Sequence, residues 1–566
     1  YVNGIEEQNL NVQVDGVRQS NNIWHHNANG LIDPTLLKSV SVDAGVAGAD
    51  AGPGAVGGSL RYETRDVADL LAPGRNFGSF IGSGYESNAE TFSQTGAIYG
   101  RSNGFEALGY VTHAEGKNYE DGSGTEVEGT GVNLLSTLAK AAYTSDRGHR
   151  IEVNGQYMVD DDIRPFRANF ATVRDTLTLA PNKFARSTGS IEYSNTQPTE
   201  RFDPLLRLSY NKTEIDRPSA DGNFARGYFN ALVESIGGLA QNTLQTPIGR
   251  LTAGVDFYED QTETDNFRDP LFEENATNVG AFAQLRGSPT SRLELSTGLR
   301  VDYNEFESVD DKSYDDTGVS PNLSARYAIT PDLGIRGAYA YVFGGLPLTA
   351  VGNFHALQYV YEDSLKSQQA SNGTVSLDYQ LSGLALTAEY FTTTIKNSAA
   401  YNEEDTPAIR INGPALETTG FNLGAVHTWE NAEAGVSYVN TDVKYNNADI
   451  GTNAFALGTP VGEMFKLHGA WGMPALGLKF GATSEIALSF DYPASSSNVD
   501  LDSYQVFNLY SQWQPTALDS LLLRVEVNNV ADDEYINRYT SGASLGFVQP
   551  LKDPGRNIVV STRYTF

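Results

Sequence analysis

Polar and apolar residues alternate along most of this chain. From about Phe77 onward the sequence divides into segments of roughly ten or more residues with alternating character, such as 292–303, 334–342 and 521–527. A period of two places the apolar side chains on one face of a β-strand. We count about 22 such segments, a large even number that is typical of membrane barrels. The pattern therefore predicts an all-β chain folded as a 22-stranded antiparallel transmembrane β-barrel.

The connections between these segments alternate in length. Short ones are 101–104, 145–148, 288–291 and 330–332. Long ones are 115–131, 161–183, 262–275, 343–367, 400–414, 446–461 and 533–553. Outer-membrane barrels have short periplasmic turns and long external loops, so we expect the long connections to face the cell exterior. Acidic runs within them, such as 118–122, are expected to be solvated at an anionic surface of lipopolysaccharide.

Composition and net charge exclude several classes of protein and of binding site. The net charge of −31 argues against a nucleic-acid partner, because neutralising phosphates requires a basic face. The absence of cysteine excludes a disulfide framework and a thiolate metal site. No run approaches the ~18 apolar residues of a transmembrane helix. The mean hydropathy of −0.35 is compatible with a barrel, since only alternate strand residues face lipid.

The two ends of the chain carry further information. In the last segment Ile558, Val560, Tyr564 and Phe566 share one face of a strand, and this ending resembles the assembly signal of outer-membrane barrels. The first 75 residues instead read as short strands and glycine turns, which predicts a small mixed domain. We therefore divide the chain into residues 1–75 and a barrel of residues 76–566.

Several stretches resemble TonB-dependent receptors. The matching stretches are 14–18, 32–34, 37–40, 52–58, 528–530, Tyr535 and 554–556. The resemblance implies a plug domain in the lumen of a 22-stranded outer-membrane barrel, driven by the TonB-ExbB-ExbD complex, with a monomeric chain surrounded by lipid and lipopolysaccharide. It also implies that residues 1–75 are the C-terminal part of the plug. We expect the early plug and the TonB box to lie before Tyr1.

A narrower resemblance is to the haem and haemoglobin receptor subgroup. It rests on 14–19, then His26, then Asp33 and Pro34, because a plug histidine precedes Asp-Pro by this spacing in the subgroup. The subgroup supplies a second histidine from a long external loop after a Phe-Arg-Ala-Pro motif. Here the corresponding loop keeps Phe343, replaces the Arg-Ala-Pro, and carries His355. The resemblance thus implies haem as the transported ligand, with no permanent cofactor.

The histidines can also be compared with one another as candidate ligands of haem iron. The chain has seven: His25, His26, His113, His149, His355, His427 and His468. Neutral imidazole ligates haem iron, and two can fill both axial positions. His149 and His427 fall near short turns and His468 falls within a strand, so these three are disfavoured. His113 falls at the external end of a strand and stays a candidate.

The favoured pair comes from two separate elements. His26 lies in a plug connection and His355 in one of the longest loops, so both could reach one vestibule as haem-iron ligands; His25 is the alternative if the register is off by one. Three aromatic residues could pack on a porphyrin face or simply fill the vestibule: Trp24, Phe354 and Tyr359.

Three functions remain open at this level. The first is import of haem, taken as free haem or from a haemoprotein or hemophore. The second is import of a ferric siderophore or another metal chelate through the same machinery. The third is a passive porin or an outer-membrane enzyme, which the plug-like residues and the absence of a nucleophile elbow or His-Glu-x-x-His helix disfavour. We therefore assign no catalytic residue.

Overall fold

A computed structural model describes most of the chain. The described residues are 1–20, 32–165, 170–173, 179–217, 229–266, 272–350, 359–402, 407–451, 457–493, 498–540 and 542–566. No helix within these ranges is long and apolar enough to cross a membrane.

A small mixed sheet begins the chain. Its strands are β1 (Asn11–Val14), β2 (Val17–Arg18), β3 (Leu37–Ala44) and β4 (Gly58–Thr64). They are ordered β2-β1-β4-β3, with β1 and β4 parallel and the other neighbours antiparallel. Short helical turns are Glu7–Asn9, Pro34–Leu36 and Ala49–Ala51, followed by α1 (Val67–Leu70). We refer to this part of the chain as the plug.

Glycine shapes the corner that leads into β4. Gly58 has a φ of +114°, and a Cβ there would lie 2.0 Å from the backbone oxygen of Asp43. Any other residue would therefore clash with the neighbouring strand. This accounts for part of the glycine-rich stretch 52–58.

The rest of the chain forms a closed antiparallel barrel of 22 strands, as predicted. The wall strands are β5 (Phe77–Glu86), β6 (Thr91–Ser102), β7 (Phe105–Gly116), β8 (Val132–Thr144), β9 (His149–Pro165), β11 (Leu179–Asn195), β12 (Pro204–Arg217), β13 (Phe229–Thr246), β14 (Gly249–Asn266), β15 (Phe272–Thr290), β16 (Leu293–Glu307), β17 (Ser313–Ala328), β18 (Leu333–Gly345), β20 (Gln368–Leu381), β21 (Leu384–Lys396), β24 (Leu416–Thr428), β25 (Ala432–Tyr445), β27 (Gly462–Met473), β28 (Leu478–Ala487), β29 (Tyr504–Trp513), β30 (Leu521–Asn528) and β32 (Asn557–Thr565). Short strands in the connections are β10 (Phe170–Val173), β19 (Tyr359–Tyr361), β22 (Ala399–Asn402), β23 (Ala408–Asn412), β26 (Ala448–Asp449) and β31 (Val548–Pro550). The last wall strand pairs with the first and closes the barrel.

The two faces of the wall have opposite character. Large apolar side chains such as Ile98, Val255 and Tyr339 are at least half exposed on the outer face. Polar side chains such as Asn211 and Gln284 are fully buried on the inner face. A water-soluble protein has the reverse arrangement, so the outer face is suited to lipid.

Connection length divides the barrel into two ends. At one end the connections are all short, for example 103–104 and 382–383; we call it the short-turn end. The opposite end, the long-loop end, carries the long connections, for example 346–367 and 529–556. The long connections predicted from the sequence therefore lie at one end, although 87–90, 267–271 and 308–312 at that end are short.

Two predicted loop extents are wrong. Most of 262–275 belongs to strands β14 and β15, and much of 161–183 belongs to β9 and β11. Glu263 pairs with Glu273 in the ladder between β14 and β15, although both are charged. Strands of 17 to 19 residues exceed the ~9–11 that span a bilayer, so their polar ends continue the wall past the lipid.

Candidate functional site

The histidines predicted as ligands lie in two segments outside the described residues. Trp24, His25 and His26 fall in 21–31, while Phe354 and His355 fall in 351–358. The structure instead describes the residues at which each segment begins and ends. These four attachment points are Ser20, Ile32, Ala350 and Tyr359.

Asp33 secures the point where the plug segment returns to the described protein. Its Oδ1 accepts hydrogen bonds from the Thr35 backbone N–H at 2.9 Å and from the Thr35 hydroxyl at 2.5 Å. Asp33 is thereby the N-cap of the turn Pro34–Leu36, with proline at its first position. The Thr35 hydroxyl also contacts the Tyr110 hydroxyl of the barrel wall at 2.5 Å. The Asp-Pro motif therefore anchors one end of the histidine segment to the wall.

Arg18 secures the other end of the same segment. Its Nε lies 3.2 Å from Asp260 Oδ2 on β14, and its guanidinium lies 4.2 Å above the Tyr258 ring. Arg207 of β12 donates to the backbone oxygen of Gly16 at 3.2 Å. Burial lowers the pKa of Arg18, but the Asp260 carboxylate more than compensates, and the net pKa is raised. Arg18 is thus a charged plug residue paired with the wall.

A buried polar cluster holds both ends of the loop segment that carries His355. Glu274 on β15 is fully buried and accepts from the Thr349 backbone at 2.7 Å and the Thr349 hydroxyl at 3.1 Å. The Tyr361 hydroxyl also donates to Glu274. Arg410 donates to Thr349 Oγ1 at 3.0 Å and to the backbone oxygen of Pro347 at 2.6 Å. Residues on either side of 351–358 are therefore fixed to one carboxylate.

A small sheet extends this cluster across the loops. Strand β19 pairs in parallel with β23, which pairs antiparallel with β22. The Arg410 guanidinium lies 5.1 Å above the rings of both Phe306 and Tyr361. The connections 346–367 and 397–415 thus form one packed unit, so the loop that contains His355 has a rigid base.

Further ion pairs join the plug to the wall. Lys140 on β8 lies 2.8 Å from Asp66 Oδ1 and 3.6 Å from Asp15 Oδ2. Arg286 on β15 forms two hydrogen bonds of 2.7 Å with Asp50. These ion pairs therefore join three plug carboxylates, Asp66, Asp15 and Asp50, to two cations of the barrel wall.

Arg186 on β11 differs from these residues. It is 4 % exposed, lines a small cavity with Ile32 and Asp33, and its Nη1 has no hydrogen-bond partner among the described residues. Asp33 Oδ2, in the same cavity, is also without one within those ranges. Unsatisfied polar groups therefore lie next to the end of the histidine segment.

The other four histidines lie in the wall strands of the barrel or at their ends. His149 contacts the Tyr193 hydroxyl at 2.8 Å beside a short turn, and His427 stacks on Trp429 at 4.2 Å beside another. His468 lies within β27, 3.5 Å from Glu433. His113 shares the outer face of β7 with Phe105 and Val111. His149 and His427 thus lie beside short turns, while His468 and His113 lie within wall strands. Among the described residues no group of three or more His, Cys, Asp or Glu is arranged to hold a metal ion.

A hydrogen bond and an ion pair join two other long connections, 117–131 and 529–556. The Tyr119 hydroxyl donates to the backbone oxygen of Lys552 at 2.6 Å, and Lys552 Nζ lies 3.1 Å from Asp121 Oδ2. Burial raises the pKa of Asp121, but hydrogen bonds from Ser123, Thr125 and Lys552 outweigh it and lower the pKa to about 2. The Asp121 carboxylate is therefore ionised at any physiological pH and holds 117–131 against 529–556.

The barrel and plug each match a known family. A family model described as "TonB dependent receptor-like, beta-barrel" matches residues 84–530, and one described as "TonB-dependent Receptor Plug Domain" matches residues 1–59. The chain belongs to the TonB-dependent receptor family. The resemblance found in the sequence is thereby confirmed, and the barrel lies in a bacterial outer membrane. Such a receptor is not an enzyme.

Individual relatives cover the whole chain. It is 31% identical over 575 residues to "Heme transporter BhuA" of Brucella ovis, covering 100% of this chain and 86% of the relative. The FrpB iron transporter from Neisseria meningitidis superposes with a TM-score of 0.89 at 20% identity, covering 100% of this chain and 92% of that one. The hemophore receptor HasR of Serratia marcescens, in complex with its hemophore HasA and heme, gives 0.79 at 17% identity, with 100% and 92% covered. The two structures show a shared fold.

The sequence reasoning missed the buried cluster around Glu274. Glu274 and Arg410 both fell in stretches predicted as external loops, where charged residues are ordinarily solvated. One signal was available, because Arg410 stands between Ile409 and Ile411 in an alternating run. That pattern indicates a strand, although it does not say what the arginine pairs with.

Proposed function

We propose that this receptor imports haem across the outer membrane, driven by the TonB-ExbB-ExbD complex acting on the plug. The observation that carries this proposal is the 31% identity, over the whole chain, to a Brucella protein named a heme transporter. In this proposal residues 1–75 are the plug portion, residues 76–566 are the barrel, and the long-loop end faces the cell exterior.

We further propose that His26 and His355 hold the haem iron from opposite sides, with His25 as the alternative plug ligand. Each segment that contains one of these histidines is attached to a hydrogen-bonded residue: Asp33 for the plug segment and Thr349 for the loop segment. Rigid attachment lowers the entropy lost when two distant ligands are brought to one iron. In this arrangement Trp24 and Phe354 pack on the porphyrin.

Release would then depend on the plug contacts. A pull on the plug that separates Asp50 from Arg286 and Arg18 from Asp260 would also move the segment that contains His26. The loop ligand would stay behind, because its base is fixed to the wall at Glu274. Movement of His26 away from His355 would remove one of the two axial ligands from the iron.

Hemin binding to the purified receptor tests this proposal. We expect the low-spin absorption spectrum of bis-imidazole haem, and loss of that spectrum in both His26→Ala and His355→Ala. His113→Ala and His468→Ala are matched controls that remove a histidine elsewhere, and they should leave the spectrum intact. Unchanged hemin binding in the His26→Ala, His355→Ala double variant would show that the ligation proposal is wrong.

The cargo is tested separately from the ligands. Growth of receptor-expressing cells on hemin as the iron source should require this receptor. Growth on ferric siderophores but not on hemin would instead favour the metal-chelate alternative. Comparison of free hemin, haemoglobin and a hemophore as sources would then identify the physiological donor.

A further inference from the structure

Two cations of the barrel wall stand close to the short-turn end of the lumen. Lys140 lies four residues before the end of β8, and Arg286 lies four residues before the end of β15. Both strands end in short turns. In the orientation proposed above, with the long-loop end outside, these side chains lie near the exit of the lumen. We call Lys140 and Arg286 the exit cations.

The plug supplies the carboxylates that pair with both exit cations. Lys140 Nζ lies 2.8 Å from Asp66 Oδ1 and 3.6 Å from Asp15 Oδ2. The two terminal nitrogens of Arg286 each donate to Asp50 at 2.7 Å. In the part of the chain that the structure describes, all ion pairs of the two exit cations are with the plug. Their charges are therefore neutralised by residues that do not belong to the wall.

Other lumenal cations near the same end pair within the wall. Arg150 on β9 lies 2.8 Å from Glu152. Arg326 on β17 lies 2.6 Å from Asp378 on β20. Glu152 also acts electrostatically on Lys140, but it is already paired with Arg150. These wall pairs do not involve the plug, so displacement of the plug separates the exit cations from their carboxylates and leaves the wall pairs intact.

A cation that loses its carboxylate favours an anion that can replace it. Lys140 is 8 % exposed while the plug is seated, so it has little access to water in that state. A guanidinium donates two parallel hydrogen bonds to a carboxylate, as Arg286 does to Asp50, and an ammonium acts as a point charge. Unpaired cations in a narrow passage also raise the local concentration of anions. Both exit cations are thus suited to a carboxylate that moves past them.

We propose that Lys140 and Arg286 bind the carboxylates of an anionic cargo during its passage, in the positions that Asp66 and Asp50 hold while the plug is seated. The proposal rests on the proposed function, in which the plug moves and the cargo is haem with its propionate carboxylates. The exit cations lie six strands apart, about 29 Å along the wall at about 4.8 Å per strand, so each is a separate contact.

Initial rates of hemin uptake by receptor-expressing cells, at equal amounts of receptor in the membrane, test this role. Arg286→Gln and Asp50→Asn break the same ion pair, but Asp50→Asn keeps the wall cation. We expect uptake through Arg286→Gln to be about fivefold slower than through Asp50→Asn, the factor that a solvent-screened charge contact contributes. Arg286→Lys retains a cation and should recover most of the rate. An ion pair that served only to seat the plug would give equal rates for Arg286→Gln and Asp50→Asn.

Lys140→Gln and Asp66→Asn repeat the comparison on β8, and they decide the question should Arg286→Gln fail to fold. Arg326→Gln is the matched control, because its partner Asp378 belongs to the wall, and its uptake rate should equal that of the wild type. Equal rates for the wall variant and the plug variant of each pair overturn the proposal.

Failure of the haem function gives a different result. The wild-type receptor would then show no hemin uptake, and the same variants are measured with a negatively charged ferric siderophore that supports growth. The wall variants should again be about fivefold slower than the plug variants. Equal rates with that chelate overturn the role of the exit cations.

Discussion

Arg286 on the barrel wall and Asp50 on the plug form a two-pronged ion pair, with both hydrogen bonds at 2.7 Å. The contact is partly open to solvent, since 38% of the Arg286 side chain is exposed. Parallel guanidinium–carboxylate bonds fix orientation as well as distance. The pair therefore locates the turn Ala49–Ala51 against strand β15.

Asp50→Asn should loosen this part of the plug. We expect a cost of about 1 kcal/mol, a discounted value because solvent screens the pair. Hydrogen exchange of residues 45–58 should quicken, while exchange in the wall strands should not change. Arg61→Gln is the control, because Arg61 pairs with Asp43 inside the plug at 2.9 Å. Equal loosening by both variants would mean that the Asp50 contact has no special role in plug seating.

Arg410→Met should destabilise the loop base that holds residues 346–350. Glu274 is 0% and Arg410 1% exposed, so loss of the arginine leaves a buried carboxylate without its cation. We expect a cost of about 3 kcal/mol, measured by hydrogen exchange at 346–350 and 359–361. Glu274→Gln combined with Arg410→Met should cost less than the sum of the single changes. An additive double variant would contradict coupling between the two residues.

The wall strands of the barrel could be predicted from the sequence, but the ends of the longest strands could not. The period of two predicts the wall, because each strand has lipid on one side and the plug on the other. The predicted loop 262–275 was wrong, because Glu263 and Glu273 pair in a ladder between β14 and β15 that extends beyond the lipid. A strand outside the lipid does not need an apolar face. Strand pairing there depends on backbone hydrogen bonds, which leave little trace in side-chain polarity.

The candidate site also has one part that the sequence predicts and another that it does not. The Asp33-Pro34 motif was readable from the sequence, and the structure shows Asp33 as the N-cap of the turn Pro34–Leu36. The pairing of Glu274 with Arg410 was not readable, because it depends on how two distant connections fold against each other.

Asp553 should make the connection 529–556 sensitive to pH. Burial raises the pKa of Asp553 to about 6, with the Glu485 charge adding to the effect and hydrogen bonds from Asn537 and Tyr535 opposing it. The folded-state pKa exceeds the unfolded value of about 3.9, so folding favours the protonated acid. Stability of this loop should therefore fall by about 2 to 3 kcal/mol as the pH rises from about 4 to about 6.

Hydrogen exchange of residues 535–553 between pH 4 and pH 7, corrected for intrinsic rates, measures this loss. Asp553→Asn should remove the pH dependence. Asp532 in the same connection is the control: backbone and side-chain hydrogen bonds from Arg556 lower its pKa, so its contribution is complete above about pH 4. A slope that survives in Asp553→Asn, or disappears in Asp532→Asn, would show that another group is responsible.

Asp33→Ala should weaken hemin binding without unfolding the barrel. The variant removes the N-cap of Pro34–Leu36 and frees Thr35, which also contacts Tyr110 of the wall, so the end of the segment that contains His26 loses its anchor. Loss of such a cap costs about 1 kcal/mol, which should lower the affinity for hemin about fivefold if that segment supplies an iron ligand. Asp69→Asn is a matched control, because Asp69 caps the backbone of Asp66 at 2.8 Å in a different part of the plug. Titration of hemin into each purified variant measures the effect. An equal loss of affinity in both variants would indicate general loosening of the plug, whereas a loss confined to Asp33→Ala would tie the Asp-Pro motif to the histidine that precedes it.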